Sequence, residues 1–187
     1  MRIVALIWQG LAIFFSRLFR QGVKITWLWL HEKYARLAQG ISPAATSEVV
    51  NGLFVGGQQY RRGLALMRQM RIGATISLRD EADDTARGVA LASHLWLPTP
   101  DNGAPTLTQI SQGVKFIRQA LEAGQGVYIH CGQGVGRAPT LAAAYLVSQG
   151  QSPQAALETI RKVRPFITPT RIQLKRLAEW AEANDER

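Results

Sequence analysis

The hydrophobic pattern changes character near residue 42. Before it, Ile3 to Phe15 (IVALIWQGLAIFF) is apolar apart from Gln9 and Gly10, and Arg17, Arg20 and Lys24 follow closely. A bilayer span needs about 20 apolar residues, so this run is too short and too soon charged. At helical spacing Arg2, Gln9, Ser16, Arg17, Arg20 and Lys24 share an arc of about 100°, which predicts a helix with a narrow basic stripe and a wide apolar face. ITWLWL, from Ile25 to Leu30, adds two tryptophans beside His31, Glu32 and Lys33, as at a membrane interface. Three readings of residues 1–41 stay open: an interfacial membrane helix, a helix pair folded back onto the following domain, and a marginal span or signal anchor. The first run lacks an A-x-A-type cleavage site directly after it, which argues against a removed signal peptide.

ISPAATSE reads as the linker into a main domain over residues 42–187. There, short apolar runs at Leu53 to Val55, Ala74 to Leu78, Leu95 to Leu97 and Val127 to Ile129 predict buried strands. Helical periodicity falls between them, at Tyr60 to Arg71, near Asp84 to Ala92, and at Leu107 to Ala123, which Thr106 or Thr108 can cap. Ala138 to Ser148, ended by Gly150, Pro153 to Val163 and Thr170 to Ala183 then follow as helices without a strand between them. Strand and helix in alternation predict an α/β fold, a mainly parallel central sheet flanked by helices, here with an N-terminal helical extension.

Composition adds little to that picture, at 47% hydrophobic and 19% charged residues in 187. It disfavours a disordered chain and a multi-span membrane protein. A single cysteine excludes an internal disulfide, and with three histidines it leaves no zinc cluster. A reducing, cytoplasmic location is expected, peripheral to the inner face of a membrane. The net charge is +9, and residues 1–41 hold six Lys and Arg against Glu32 alone. That excess suits acidic lipid headgroups or phosphorylated material, and no nucleic acid is expected.

The chemistry lies in VYIHCGQGVGRAPT, Val127 to Thr140, where a buried strand runs into a glycine-rich loop and then a helix. The loop of Gly132, Gln133, Gly134, Val135 and Gly136 between Cys131 and Arg137 can wrap one tetrahedral anion with inward N–H groups. Its glycines admit the positive φ values such a nest demands. The helix starting near Arg137 adds its dipole beneath the anion. These dipoles and the guanidinium favour thiolate over thiol at Cys131. Arg137 offers a planar fork to two phosphate oxygens.

The chain resembles the dual-specificity branch of the cysteine-based protein tyrosine phosphatase superfamily, whose signature is H-C-x5-R followed by Ser or Thr. The resemblance runs from about Leu53 to Trp180 and includes LFVGGQ, LPTPDNGAP, the loop itself and RPFITPTRIQLKRLAEW. It implies a tyrosine phosphatase-like fold and a metal-free, cofactor-free reaction in which Cys131 becomes a phosphocysteine that water hydrolyses. Expelling the alcohol calls for a general acid. Asp101, in the turn PTPDNGAP after the strand Leu95 to Leu97, is the candidate, and the resembling families place their acid in such a loop. Asp80, Asp83 and Asp84 are its rivals, but are expected instead to cap the next helix or form a solvated acidic turn; Arg79 can reach toward the active site, yet a surface pair with Asp80 or Glu81 is expected of it.

His130 is expected to steer the loop and the thiolate from behind, without carrying a proton. The position after the arginine is Ala138, so the hydroxyl usual there is absent, and Thr140 stands two residues further on. Phosphorylated protein (Tyr, Ser or Thr) is the leading substrate class by resemblance. A membrane lipid monophosphate such as phosphatidylglycerophosphate is the alternative, because the basic extension can hold the site against a bilayer. Phosphoglucan is third. A phosphate-binding module without turnover is a different class, supported only by Ala138.

Overall fold

The computed structural model describes residues 2–185. Among them, strands β1 (Glu48–Val50), β2 (Leu53–Gly56), β3 (Ile72–Arg79), β4 (Ser93–Thr99) and β5 (Gly126–His130) form one sheet in the order β1-β2-β5-β3-β4. β1 pairs antiparallel with β2, and every other pair is parallel. The period of two along each strand sorts the core into two layers. Leu53, Val55, Ile76, Leu78, Val127 and Ile129 face the larger core, shared with α3 (Leu107–Glu122), α4 (Arg137–Ser148), α5 (Pro153–Val163) and α6 (Arg171–Asp185). Phe54 and Tyr128 face the other way, onto Ile41, Ile72 and Met67 of α2 (Leu64–Gln69). The expected α/β sheet, mainly parallel with flanking helices, is what forms.

Local signals explain most boundaries. Thr106 is the cap of α3, its hydroxyl accepting from the Gln109 amide while the Gln109 side chain accepts from the Thr106 amide. Such a reciprocal box satisfies two end donors at once. Three expectations need correction. β1 was not anticipated, because three residues are too few to show alternation. The helix expected over Tyr60 to Arg71 shrinks to a 3₁₀ turn at Arg61–Gly63 and the short α2, since Gly63 packs backbone to backbone on Gly40. The helix expected near Asp84 to Ala92 is instead a run of turns, with Val89 and Ala90 amides returning to the Asp84 carbonyl.

The extension forms α1 (Arg2–Gln39), broken at Gly22, whose φ of 80° and ψ of 170° are not helical. Beyond the break Thr26, Trp29, Glu32 and Arg36 are buried. Their spacing of three to four residues puts them on one face of the helix, turned to the body of the protein. The opposite side exposes Val23, Trp27 and Tyr34, and before the break Trp8, Phe15 and Phe19 are exposed. The side chains of Arg2 and Gln9, counted in the basic stripe, lie outside the described residues. No helix among the described residues is long and apolar enough to cross a membrane. The ISPAATSE segment is packed, with Ser42 and Ser47 fully buried.

Candidate active site

The central strand β5 delivers the chain into the glycine loop, and α4 begins directly at Arg137. Four successive loop carbonyls are tied down on the outside. Gly132 O accepts from the Gln58 amide at 3.2 Å, Gln133 O from Arg164 Nη2 at 3.3 Å, Gly134 O from Arg164 Nε at 3.1 Å, and Val135 O from the Thr168 amide at 2.7 Å. A chain whose carbonyls all point outward turns its N–H groups to the concave side. The Gly134 amide accordingly donates to Cys131 Sγ at 3.3 Å. Among the loop glycines only Gly134 has a positive φ, of 66°, and a Cβ there would overlap the Gly56 backbone. Gly132 and Gly136 do not adopt the positive φ expected of them; Gly136 is instead crowded by the Gln173 side chain.

Arg137 is buried and held from several sides. Its Nη1 donates to Thr99 O at 2.8 Å, Leu78 O at 3.2 Å and Glu81 Oε2 at 2.9 Å, and its Nη2 to Glu81 Oε1 at 3.1 Å. Burial opposes its charge, but the Glu81 hydrogen bonds and the nearby Cys131 and Asp101 charges outweigh it and hold the guanidinium protonated. Burial likewise works against Glu81, and bonds led by Arg137 keep its carboxyl well below the usual carboxylate range. Asp101 is brought to the same guanidinium, with Oδ1 2.9 Å from Nη2 and the side chain largely exposed. Its loop is fastened to the end of the chain: Thr170 Oγ1 donates to Asn102 O, and Gln173 Nε2 to Gly103 O.

His130 and Asp84 are both fully buried, with His130 Nε2 2.7 Å from Asp84 Oδ2. That contact is close but poorly aligned along the ring N–H. Asp84 also accepts from the Gln58 and Gln59 side chains at 2.9 Å each. It is therefore no helix cap and no solvated turn, in contrast to expectation. Asp83 does take a turn role, accepting from the Thr85 and Ala86 amides. Arg79 pairs with Glu81 at 2.8 Å as expected, but not at the open surface: it also donates to Gln58 Oε1 at 2.7 Å and lines the same cleft as Cys131. The Thr140 hydroxyl donates back to Gly136 O at 2.9 Å and makes no hydrogen bond to Sγ among the described residues.

The family model described as "Polymorphic toxin system, DSP-PTPase phosphatase" matches residues 52–151. The chain belongs to the DSP-PTPase phosphatases, within the cysteine-based tyrosine phosphatase superfamily. "Phosphatidylglycerophosphatase and protein-tyrosine phosphatase 1" of Rattus norvegicus is 41% identical over 88 residues, 46% of each chain. "Dual specificity protein phosphatase 22" of Mus musculus is 27% identical over 125 residues, 66% of each chain. The crystal structure of PTPMT1 in complex with PI(5)P superposes with a TM-score of 0.68 at 26% identity, over 74% of this chain and 96% of that one. The chain spans about half the length of the first of these curated relatives.

In this DSP-PTPase phosphatase the loop opens into a cleft of about 560 Å³ lined by Cys131, Arg137, Glu81 and Asp101 on one side and by Arg17, Trp29, Lys33 and Arg36 of α1 on the other. Sequence reasoning missed two residues that hold this phosphatase site together. From sequence, Glu81 stands out only as a surface partner of Arg79. Arg164 is fully buried and braces the loop from outside, also donating to Thr46 O at 2.6 Å and lying 3.5 Å from Glu32 Oε1 of α1. Burial pulls its pKa below the ordinary arginine value, with Glu32 opposing.

Proposed function

We propose that this phosphatase hydrolyses the terminal phosphomonoester of a membrane glycerophospholipid of the phosphatidylglycerophosphate kind, through a phosphocysteine intermediate. The observation that carries the reading is the cleft itself: its far wall is α1, a helix with exposed aromatic residues and basic side chains. Exposed Trp8, Phe15, Phe19 and Trp27 with Arg20 and Lys24 suit an anionic bilayer, which apolar burial and charge attraction bind together. The relatives named phosphatidylglycerophosphatase add support.

In this reading Cys131 Sγ attacks phosphorus while the loop amides and Arg137 hold the equatorial oxygens, whose charge they stabilise best in the transition state. A phosphate oxygen arriving at Arg137 Nη2 competes with Asp101 for that donor. Asp101, released from the pair and carrying a proton taken up as the substrate binds, gives that proton to the departing alkoxide and regains one from the water that hydrolyses the phosphocysteine. His130 and Thr140 act by shaping the loop, with no part in proton transfer.

The second reading is a dual-specificity protein phosphatase for phosphotyrosine, phosphoserine or phosphothreonine, favoured by the match to dual specificity protein phosphatase 22. Phosphate release from phosphatidylglycerophosphate in mixed micelles and from phosphopeptides, by the wild type and Cys131→Ser, tests both. The lipid reading expects a higher kcat/KM on lipid, abolished in the variant. A peptide preference moves the assignment to the second reading, and turnover indifferent to Cys131→Ser removes both.

A further inference from the structure

We infer that α1 builds a second anion subsite at the mouth of the catalytic cleft, where Arg17 and Lys33 beside Trp29 hold the phosphodiester of a lipid headgroup whose terminal monoester lies on the Cys131 loop. This deepens the lipid reading and rests on it.

Arg17, Trp29 and Lys33 line the same cleft as Cys131 and Arg137. Arg17 Cζ lies 4.7 Å and Lys33 Nζ 5.5 Å from the centroid of the one Trp29 ring. Two cations gathered at one aromatic ring repel each other unless an anion joins them. Neither has a carboxylate within salt-bridge distance among the described residues; Arg17 donates only to neutral acceptors, Gln21 Oε1 at 2.9 Å and Phe166 O at 3.1 Å. Arg17 is also partly withdrawn from water, and this burial lowers its pKa.

A second observation points the same way. The Trp29 indole is buried, and its Nε1–H has no hydrogen-bond partner among the described residues. A buried donor left unmet is costly and marks a place where an acceptor fits. The cleft as a whole gathers six cationic side chains, Arg17, Lys33, Arg36, Arg79, Arg87 and Arg137, against Glu81 and Asp101. Both acids already face Arg137, Glu81 also pairs with Arg79, and Arg36 is paired with Glu32 at 3.5 Å, so the positive charge of α1 left without a carboxylate among the described residues is that of Arg17 and Lys33. At about 560 Å³ the cleft is in the range of sites for whole small molecules, about 300–1,000 Å³, and exceeds what one phosphate needs. A peptide with acidic residues near the phosphate would meet the same cations, but the exposed aromatic residues on α1 favour the lipid.

The test compares two soluble substrates on the full chain. The deacylated headgroup glycerophosphoryl-glycerophosphate carries a diester and a monoester without acyl chains, and p-nitrophenyl phosphate carries a monoester alone. The wild type is expected to prefer the headgroup in kcat/KM, and Arg17→Gln with Lys33→Gln to reduce that preference about tenfold, mainly through KM, the scale of one charge-assisted hydrogen bond. Arg17→Lys with Lys33→Arg should restore most of it. Trp29→Phe, which keeps the packing and removes the N–H, should lower the ratio about threefold. A ratio unmoved by these changes overturns the subsite. So does a loss confined to vesicle lipid with the headgroup unaffected, which would make the cations surface-binding only. A wild type that prefers phosphopeptide to intact lipid instead overturns the lipid reading, while the headgroup ratio still reads the subsite separately.

Discussion

Glu81 and Arg137 meet in a two-pronged pair, Oε2 to Nη1 at 2.9 Å and Oε1 to Nη2 at 3.1 Å. Parallel bonds of this kind fix the plane of the guanidinium as well as its position. Glu81 is thus a positioning residue for the phosphate clamp. Glu81→Gln is expected to lower kcat on the order of 10- to 100-fold, the usual consequence of a misplaced catalytic group, with a smaller change in KM. The carbonyls of Leu78 and Thr99 still hold Nη1, so the fold should survive. Steady-state kinetics beside a thermal melt check this, and a variant with full kcat would dismiss the role.

Asp84 predicts a pH dependence of stability. Burial raises its pKa, but His130 Nε2, 2.7 Å away, together with the Gln58 and Gln59 amides, brings it down from 3.8 to about 2. A depressed carboxyl stabilises the fold fully above its unfolded value and loses that contribution as pH falls through the folded one. The expected worth is about 2 kcal/mol, present above about pH 4 and lost between there and about pH 2. Urea unfolding of the wild type and Asp84→Asn should show a gap at pH 6 that closes across this window. A gap constant with pH would mean that the charge of Asp84 contributes nothing.

Arg164 joins three parts of the molecule: the phosphate loop through Gln133 and Gly134, the entry segment through Thr46, and α1 through Glu32. Glu32 is itself buried, with Ser42 Oγ at 2.5 Å and Arg36 Nε at 3.5 Å. Removing one partner from a buried ionic cluster strands the other charge, at a cost of about 3–5 kcal/mol. Arg164→Ala should therefore lower the melting temperature by roughly 10 °C for a chain of this size and reduce turnover as the loop carbonyls lose their donors. A melt within 2 °C of wild type, an error margin taken from the same scale of about 2–4 °C per kcal/mol, would contradict it.

The parts of this architecture that announce themselves locally were legible in the sequence. Val127 to Ile129 is a short apolar run before glycines, so that strand follows from neighbours alone, whereas the cap of α3 narrows in the sequence only to Thr106 or Thr108 until the reciprocal bonds with Gln109 select Thr106. Cys131 and Arg137 are legible for the same reason, since the loop spacing carries its own geometry. Arg164 and Glu81 are not, because their partners lie 30 and 56 residues away and their types are those of any surface ion pair. Asp84 shows the same limit in reverse. SLRDEADD reads as a helix start, and only the fold reveals that β5 brings His130 beside it, turning a capping residue into a buried one. The break at Gly22 lies between the two apolar runs, consistent with the helix-pair reading, but the periodicity continues as helix on both sides and does not mark the position.

Ala138 supplies the last prediction, about the second chemical step. It is fully buried at the first turn of α4, directly after the clamp arginine, at the position where the signature of the resembling families carries Ser or Thr. A hydroxyl there can donate to the departing thiolate as water attacks the phosphocysteine, stabilising charge that develops only in that step. The other nearby hydroxyl, on Thr140, is committed to Gly136 O. Breakdown of the intermediate should therefore limit turnover, and rapid mixing with an aryl phosphate should give a burst of about one equivalent of phenolate before a slower steady state. Ala138→Ser adds one oxygen and should raise the steady rate about 10-fold, the scale of one added donor, while leaving the burst rate nearly constant. If the wild type shows no burst and Ala138→Ser leaves the steady rate where it was, formation of the phosphocysteine is the slow step and the missing hydroxyl carries no kinetic consequence.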